Sequence, residues 1–479
     1  MTKAPANVLP SFEIIKEPEL VFHPDDSACS DIHPLRGIDQ FGPYSQSIAG
    51  FVPSNIRLAI ICPEGGLENV SRLIYELEAS HEPKERKNYL VSFRGFNPLF
   101  KSTFGIPAKA SPQLIQIPQN EIDRALKQQE PHVAVGEILL GSLRQLSSCR
   151  TSFDIVLIYL PEKLSVAFES KDKDSDYDLH DSIKAVSSGL QMPVQVLNDA
   201  AMNYRCRCSV MWRLSLALYA KAGGTPWKMK ASNPRHAYVG LGYCVRKSSK
   251  KKFVTCCSQI FDGEGANLQF LLYESADGCY DGDNPFLPRA EMRRVMSRTL
   301  SLFQKQRGFV PDRLVVHKTT RFTHDEIDGC TDALGAVDDV ELLTVSRRTP
   351  WKGVKVDNVN QTARVGRAAG YPIERGTAMP IGLFDYLLWT QGNCSTLWSR
   401  DYYKEGKGIP FPLRLTRHLG SGDCHQSAEE ILGLTKMNWN NDGLYDCLPL
   451  SISYASVLAR VIKRMGSLSK TPYSFRYFM

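Results

Sequence analysis

The feature that most limits what this chain can fold into is an alternation of short apolar runs with amphipathic ones over residues 51 to about 225. The runs IRLAIIC (56–62), YLVSF (89–93), DIVLIYL (154–160) and PVQVL (193–197) have strand length and are dominated by Ile, Val and Leu. Between them, LENVSRLIYELEAS (67–80), LHDSIKAVSSGL (179–190) and SVMWRLSLALYAKAGG (209–224) space their apolar residues as helices do. Strands separated by helix-length crossovers pair in parallel, so the expectation is a mostly parallel, Rossmann-like α/β sheet covered on both faces. Gly223 and Gly224 close the last helix, and TPWKMKASNPRH (225–236) reads as an interdomain linker.

After residue 236 the order changes. Strands at about 237–245, 252–261 and 266–275 follow one another as a meander; a helix (289–306), a strand (312–318) and a further helix from 323–330 come next. Helical patterns at 423–434 and 450–465 end the chain. Three antiparallel strands followed by helix–strand units match the ribonuclease H layout. With 479 residues, two domains are expected: 51–230 and 231–479, preceded by an extended segment, 1–50, rich in Pro, Asp, Gly and Ser and lying on the domain behind it.

Bulk composition narrows the classes of function without choosing one. The charge of +7, from 58 Lys+Arg against 51 Asp+Glu, permits a polyanionic partner but does not demand one. Thirteen cysteines without a C-x-x-C pair read as reduced, packed thiols. No apolar run approaches a membrane span and the N-terminus lacks a signal-peptide core, so a soluble, cytoplasmic protein is expected.

Three phrases carry a family resemblance. RLVVHKTTRF (313–322), LTKMNWNN (434–441) and LPLSISYASVLARVI (448–462) resemble PIWI-domain segments in corresponding order, and HDSIK, PVQVL and LYAKAGGTPW resemble the MID domain that precedes PIWI in Argonautes. The chain is similar to a short prokaryotic Argonaute, with no N-terminal or PAZ domain. The resemblance implies a Rossmann-like MID domain followed by an RNase H-like PIWI domain.

It also assigns residues. Cleaving members hold two divalent cations with acidic residues. Here Gly242 (in VGLG), Thr319 (in HKT) and Ser456 (in YASVLA) stand at those positions, and none supplies an anionic oxygen to Mg²⁺. The expectation is a PIWI domain without catalysis. The MID residues that hold a guide's 5′-phosphate correspond to His180, Lys184, Gln195 and Lys221, with His180 where Tyr is frequent. His180 and Lys184, four apart, stack on one helix face. The apolar ending SFRYFM suggests a docked tail whose terminal carboxylate at Met479 would join the guide phosphate in binding Mg²⁺. Arg246, Lys247, Lys250, Lys251 and Lys252 form a basic hairpin tip that could track a phosphate backbone, and SRRTPWKGVK (346–355), with Trp351, could lie along a guide–target channel.

The function implied is RNA-guided recognition of complementary single-stranded DNA without cleavage. It would switch on an APAZ-containing partner carrying a sirtuin-like NADase, with a TIR or nuclease effector as variants, in defence against plasmids or phage. The alternative is an active nuclease using displaced carboxylates, for which Asp262 and Glu264 in FDGEGAN are the candidates. A dinucleotide-binding oxidoreductase is remote, because VGLGYCV continues as strand where a fingerprint needs a helix.

Overall fold

The computed structural model describes residues 11–479 except 86, 88, 169–176, 231–232, 248–251, 266, 276–278, 283, 361–364, 369–371, 395–407, 422 and 466–471. The first half builds a parallel sheet from β1 (Asn55–Pro63), β2 (Thr103–Gly105), β3 (Leu114–Ile117), β4 (Ile155–Leu160) and β5 (Val194–Asn198). Its order is β2-β1-β4-β5, with β3 also beside β1, and every pairing is parallel. Helices α1 (Leu67–Glu78), α2 (Pro131–Leu146), α3 (Leu179–Gly189) and α4 (Arg207–Lys221) supply the covering layers. All six residues of β4 are buried, as a strand covered on both faces must be. After α4, Gly223 adopts φ +108°, the left-handed cap that the double glycine predicted. One predicted run fails: YLVSF forms no strand of this sheet, and Phe93 instead packs edge-on against Trp212 at 5.4 Å while the Val91 carbonyl accepts the Trp212 indole N–H.

The second half is built on a nine-stranded sheet. β6 (His236–Lys247), β7 (Lys252–Asp262) and β8 (Asn267–Ser275) form the antiparallel meander. Helix α5 (Arg289–Arg307) then leads to β9 (Arg313–Lys318), and α6 (His324–Ala333) to β10 (Asp339–Ser346). β9 pairs in parallel with both β6 and β10, giving the RNase H order β8-β7-β6-β9-β10. Beyond β10 the sheet continues through β13 (Leu413–Leu419), β12 (Asp385–Leu388) and β11 (Thr377–Pro380) to a last strand, Glu13–Ile14, from the N-terminal segment. Helices α7 (Cys424–Leu434) and α8 (Leu450–Ile462) follow.

The N-terminal segment therefore does more than rest on the domain behind it. It contains the helix Pro34–Phe41, and it reaches the far edge of the second sheet. Burial alone would raise the Glu17 carboxyl, but Arg375 at 2.8 Å and Lys436 at 2.9 Å hold it down at about 2. The expected linker is also packed: Trp227 is buried with its indole N–H on the Lys436 carbonyl, and Lys228–Met229 pairs with Leu20–Val21. Between the halves, Asp442 accepts from Ser209 and Arg213 of α4, and Asp181 of α3 faces Arg460 and Arg464 at 3.3 and 3.5 Å.

Candidate functional site

Four residues from three elements converge beside β5. The Asp178 side chain caps α3 by accepting from the Asp181 N–H, which sets the helical phase that stacks His180 and Lys184. Gln195 comes from β5, and Lys221 is the last residue of α4. Together with Ser187, Asn440, Tyr477 and Met479 they line a cleft of about 200 Å³. The tail is docked as its aromatic composition predicted: Phe478 packs edge-on to Phe270 at 5.2 Å, and Tyr473 bridges to the same residue.

The cleft holds two lysines with no ion-paired carboxylate among the described residues. Lys221 is 3% exposed, and its Nζ donates to Gln195 Oε1 at 2.6 Å. Burial, followed by the neighbouring Lys184 charge, lowers its pKa to about 7. Burial also lowers Lys184, with Asp181 opposing, and its ammonium makes no hydrogen bond or ion pair among the described residues. His180 sits at the exposed rim with its ring 4.9 Å from that of Phe168; partial burial lowers it too. A buried cation with only a neutral amide as partner costs free energy that an anion in the cleft would recover. Asn440 and Tyr477 received no role from the sequence, although Asn440 lies within the MNWNN phrase; only the fold brings them to this wall.

The face of the second sheet that carries Gly242 is built differently. Gly240 and Gly242 alternate onto the side of β6 that α8 covers, and the helix backbone fills the space above them. A Cβ at Gly242 would lie 2.7 Å from the Ala455 carbonyl oxygen, and one at Gly240 would overlap that of Ser451. Both are below any tolerated carbon–oxygen contact, so these strand glycines serve close backbone approach. Thr319 is exposed just past β9, and exposed Ser456 spends its hydroxyl on the Ile452 carbonyl. Before Thr319, buried His317 contacts Ser451 Oγ at 2.8 Å and is pushed down to about 4 by burial. Lys318 is paired at 2.5 Å with Glu326, which also closes the capping box of α6. The displaced candidates are occupied as well: Asp262 is buried against Arg307, and Glu264 pairs with Lys228 at 2.6 Å. Among the described residues no group of three or more His, Cys, Asp or Glu could hold a metal ion.

Arg246 and Lys247 end β6 and Lys252 begins β7, with Lys247 opposite Lys252; Lys250 and Lys251 lie outside the described residues. No helix among the described residues is long and apolar enough to cross a membrane.

A parallel α/β domain followed by an extended RNase H-like domain is the MID–PIWI architecture of Argonautes. The chain has homologues in that family: it is 23% identical over 465 residues to the argonaute protein of Cereibacter sphaeroides, and 22% identical over 255 residues to that of Thermus thermophilus. Among solved structures, Clostridium butyricum Argonaute bound to a guide DNA and a 19-mer target DNA superposes with a TM-score of 0.66 at 16% identity, covering 98% of this chain and 55% of that one. Aquifex aeolicus Argonaute gives 0.61 at 16%, covering 98% and 57%. No family model matches the chain. It spans 53% of the Cereibacter relative and 32% of the Thermus one, which is about half their length or less.

Proposed function

We propose that this chain is a guide-loaded recognition module of the short prokaryotic Argonaute kind. It takes the 5′-phosphate of a short RNA guide into the α3/β5/α4 cleft, presents the guide to complementary single-stranded DNA, and does not cleave the target. The observation that carries this reading is the convergence of His180, Lys184, Gln195 and Lys221 on one cleft, with a buried lysine at its base. A phosphate would accept charge-assisted hydrogen bonds from both ammonium groups, and would restore charge to Lys221.

A bound Mg²⁺ would add positive charge between phosphate oxygens and the protein. Its protein oxygens would come from the main-chain carboxyl of Met479 and the side-chain amide of Asn440, hard donors of the kind Mg²⁺ takes. Gln195 Oε1 is already engaged by Lys221. The cation site would therefore be completed by the ligand.

The absence of catalysis rests on Gly240 and Gly242 beneath α8. Enzymatic output then belongs to a partner: an APAZ-containing effector, with a sirtuin-like NADase first among the candidates, switched on in the cytoplasm when target DNA fills the channel during plasmid or phage invasion. The displaced-carboxylate nuclease has no favouring observation, since Asp262 and Glu264 are tied to Arg307 and Lys228.

The test uses the purified chain with an RNA guide bearing either a 5′-phosphate or a 5′-hydroxyl. Filter binding is expected to favour the phosphate strongly and to weaken steeply with salt. Indifference to both would overturn the reading, as would Mn²⁺-dependent cleavage of a labelled target opposite the guide's middle.

A further inference from the structure

The exposed apolar side chains are unevenly distributed. Of the 14 large hydrophobic residues exposed among the described residues, nine come from positions 12–14, 351–356, 383–384 and 409–411, all in or beside the far end of the nine-stranded sheet. Phe12 and Ile14 are 64% and 55% exposed, Trp351, Val354 and Val356 between 39% and 51%. These five border one groove of about 1020 Å³ whose floor includes Met379 and Trp389. Exposed apolar surface concentrated in this way marks an interaction site.

The groove also has main-chain groups to offer. Ile15 N donates to Gly376 O at 2.9 Å, and Glu13 stands opposite Ala378. Antiparallel alternation then turns the N–H and C=O of Ile14 away from β11, toward the outer edge, where no strand pairs among the described residues. Such an edge is a template for a further strand. The groove lining carries four cations, Lys16, Lys352, Lys355 and Arg375, against two carboxylates, Glu17 and Glu374, with Lys352 also resting over the Phe411 ring at 5.2 Å. The carboxylate of Glu17 is consumed by Arg375 and Lys436.

We propose that this edge docks an extended segment of a partner polypeptide, added as a strand beside Glu13–Ile14. Its alternate apolar side chains fill the groove, and acidic residues flanking them meet Lys16, Lys352 and Lys355. This is strand addition, with specificity set by the pockets and by charge. The inference deepens the reading that the chain works through a protein partner, and it assigns 346–355 to that partner rather than to a guide–target channel.

The probe is a fluorescein-labelled nonapeptide of alternating Val and Thr with Asp-Glu flanks, with a Lys-flanked version as control, read by anisotropy on the full chain. At least tenfold tighter binding of the acidic peptide is expected, and at least tenfold loss in V354E and in K352E/K355E. Protection of residues 11–16 from hydrogen exchange should accompany binding. Val354 is half exposed, so its replacement should leave binding of a 5′-phosphorylated guide unchanged, which separates failure of this proposal from failure of the cleft assignment. Three results would overturn it: equal binding of both peptides or no loss in the variants; displacement of the peptide by an oligodeoxythymidylate, which assigns the groove to nucleic acid; or self-association lost in V354E, which assigns it to a second copy.

Discussion

The cleft beside β5 and the glycine face of β6 handle charge in opposite ways. In the cleft, Lys184 and Lys221 are held out of water without a carboxylate close enough to pair, so the protein keeps a charge deficit that a ligand can fill. On the β6 face the described buried cations of β9 are already answered: Lys318 by Glu326, and Arg313 by Asp339, Glu341 and Glu430, while burial keeps His317 neutral. An unanswered buried charge is expensive, whereas an answered one is structural. The contrast is between a pair of lysines left without a carboxylate partner and a sheet face filled by a helix backbone.

The sharpest way to break that contrast is to place a carboxylate on β6 beneath α8. Gly240→Asp would drive a side chain into the Ser451 carbonyl and bury an uncompensated charge. Overpacking and the buried charge together should cost about 4 kcal/mol, read as a fall in urea midpoint. The triple replacement of Gly242, Thr319 and Ser456 by Asp should also leave a labelled target uncut with Mn²⁺, because a side chain at Gly242 would meet the α8 backbone at Ala455. Recovered cleavage would show that the face is merely vacant.

From the other side, Lys184→Ala and Lys221→Ala should each weaken binding of a 5′-phosphorylated guide by about 2 kcal/mol, roughly 30-fold, with little effect on a 5′-hydroxyl guide. Equal losses on both guides would mean that the lysines act through general charge alone.

Lys221 adds a pH dependence with a definite sign. Its pKa of about 7 lies below the ordinary 10.5. Its charge, and hence guide affinity, should fall as pH rises through 7, by several-fold between pH 6.5 and 8.5, and Lys221→Met should flatten that profile. Stability moves the other way. Between about pH 7 and 10.5 the unfolded state holds a proton on Lys221 that the folded state does not, so Lys221 contributes stability that grows with pH.

Much of this was legible in residue order, and the misses share a cause. Periodicity located β1, β4, β5, α1, α3 and α4, and the His180/Lys184 spacing placed both on one helical face, because those patterns follow from local geometry. The strand expected at YLVSF failed because apolar content alone does not separate a strand from a core-packed loop. The short outer strands β11 and β12 and the reach of Glu13–Ile14 across the molecule were invisible, since each has few residues and its partner is set by tertiary contact. Gly242 read as a missing acid; that it and Gly240 admit a helix backbone is a fact of packing that no spacing encodes.

The weakest link between the two regions is the smallest predicted effect. Asp181 lies between His180 and Lys184 in sequence but faces α8, where Arg460 and Arg464 approach it. The Arg460 side chain is 56% exposed, so its share is screened by water, and Arg464 carries more of the interaction. Asp181→Asn should lower stability by about 1 kcal/mol in urea titration. Guide affinity should drop less than about threefold, because Asp181 also supports the charge on Lys184 only from behind the cleft. A loss matching that of Lys184→Ala would mean that the latch onto α8 sets the cleft's charge, and that the two regions act as one.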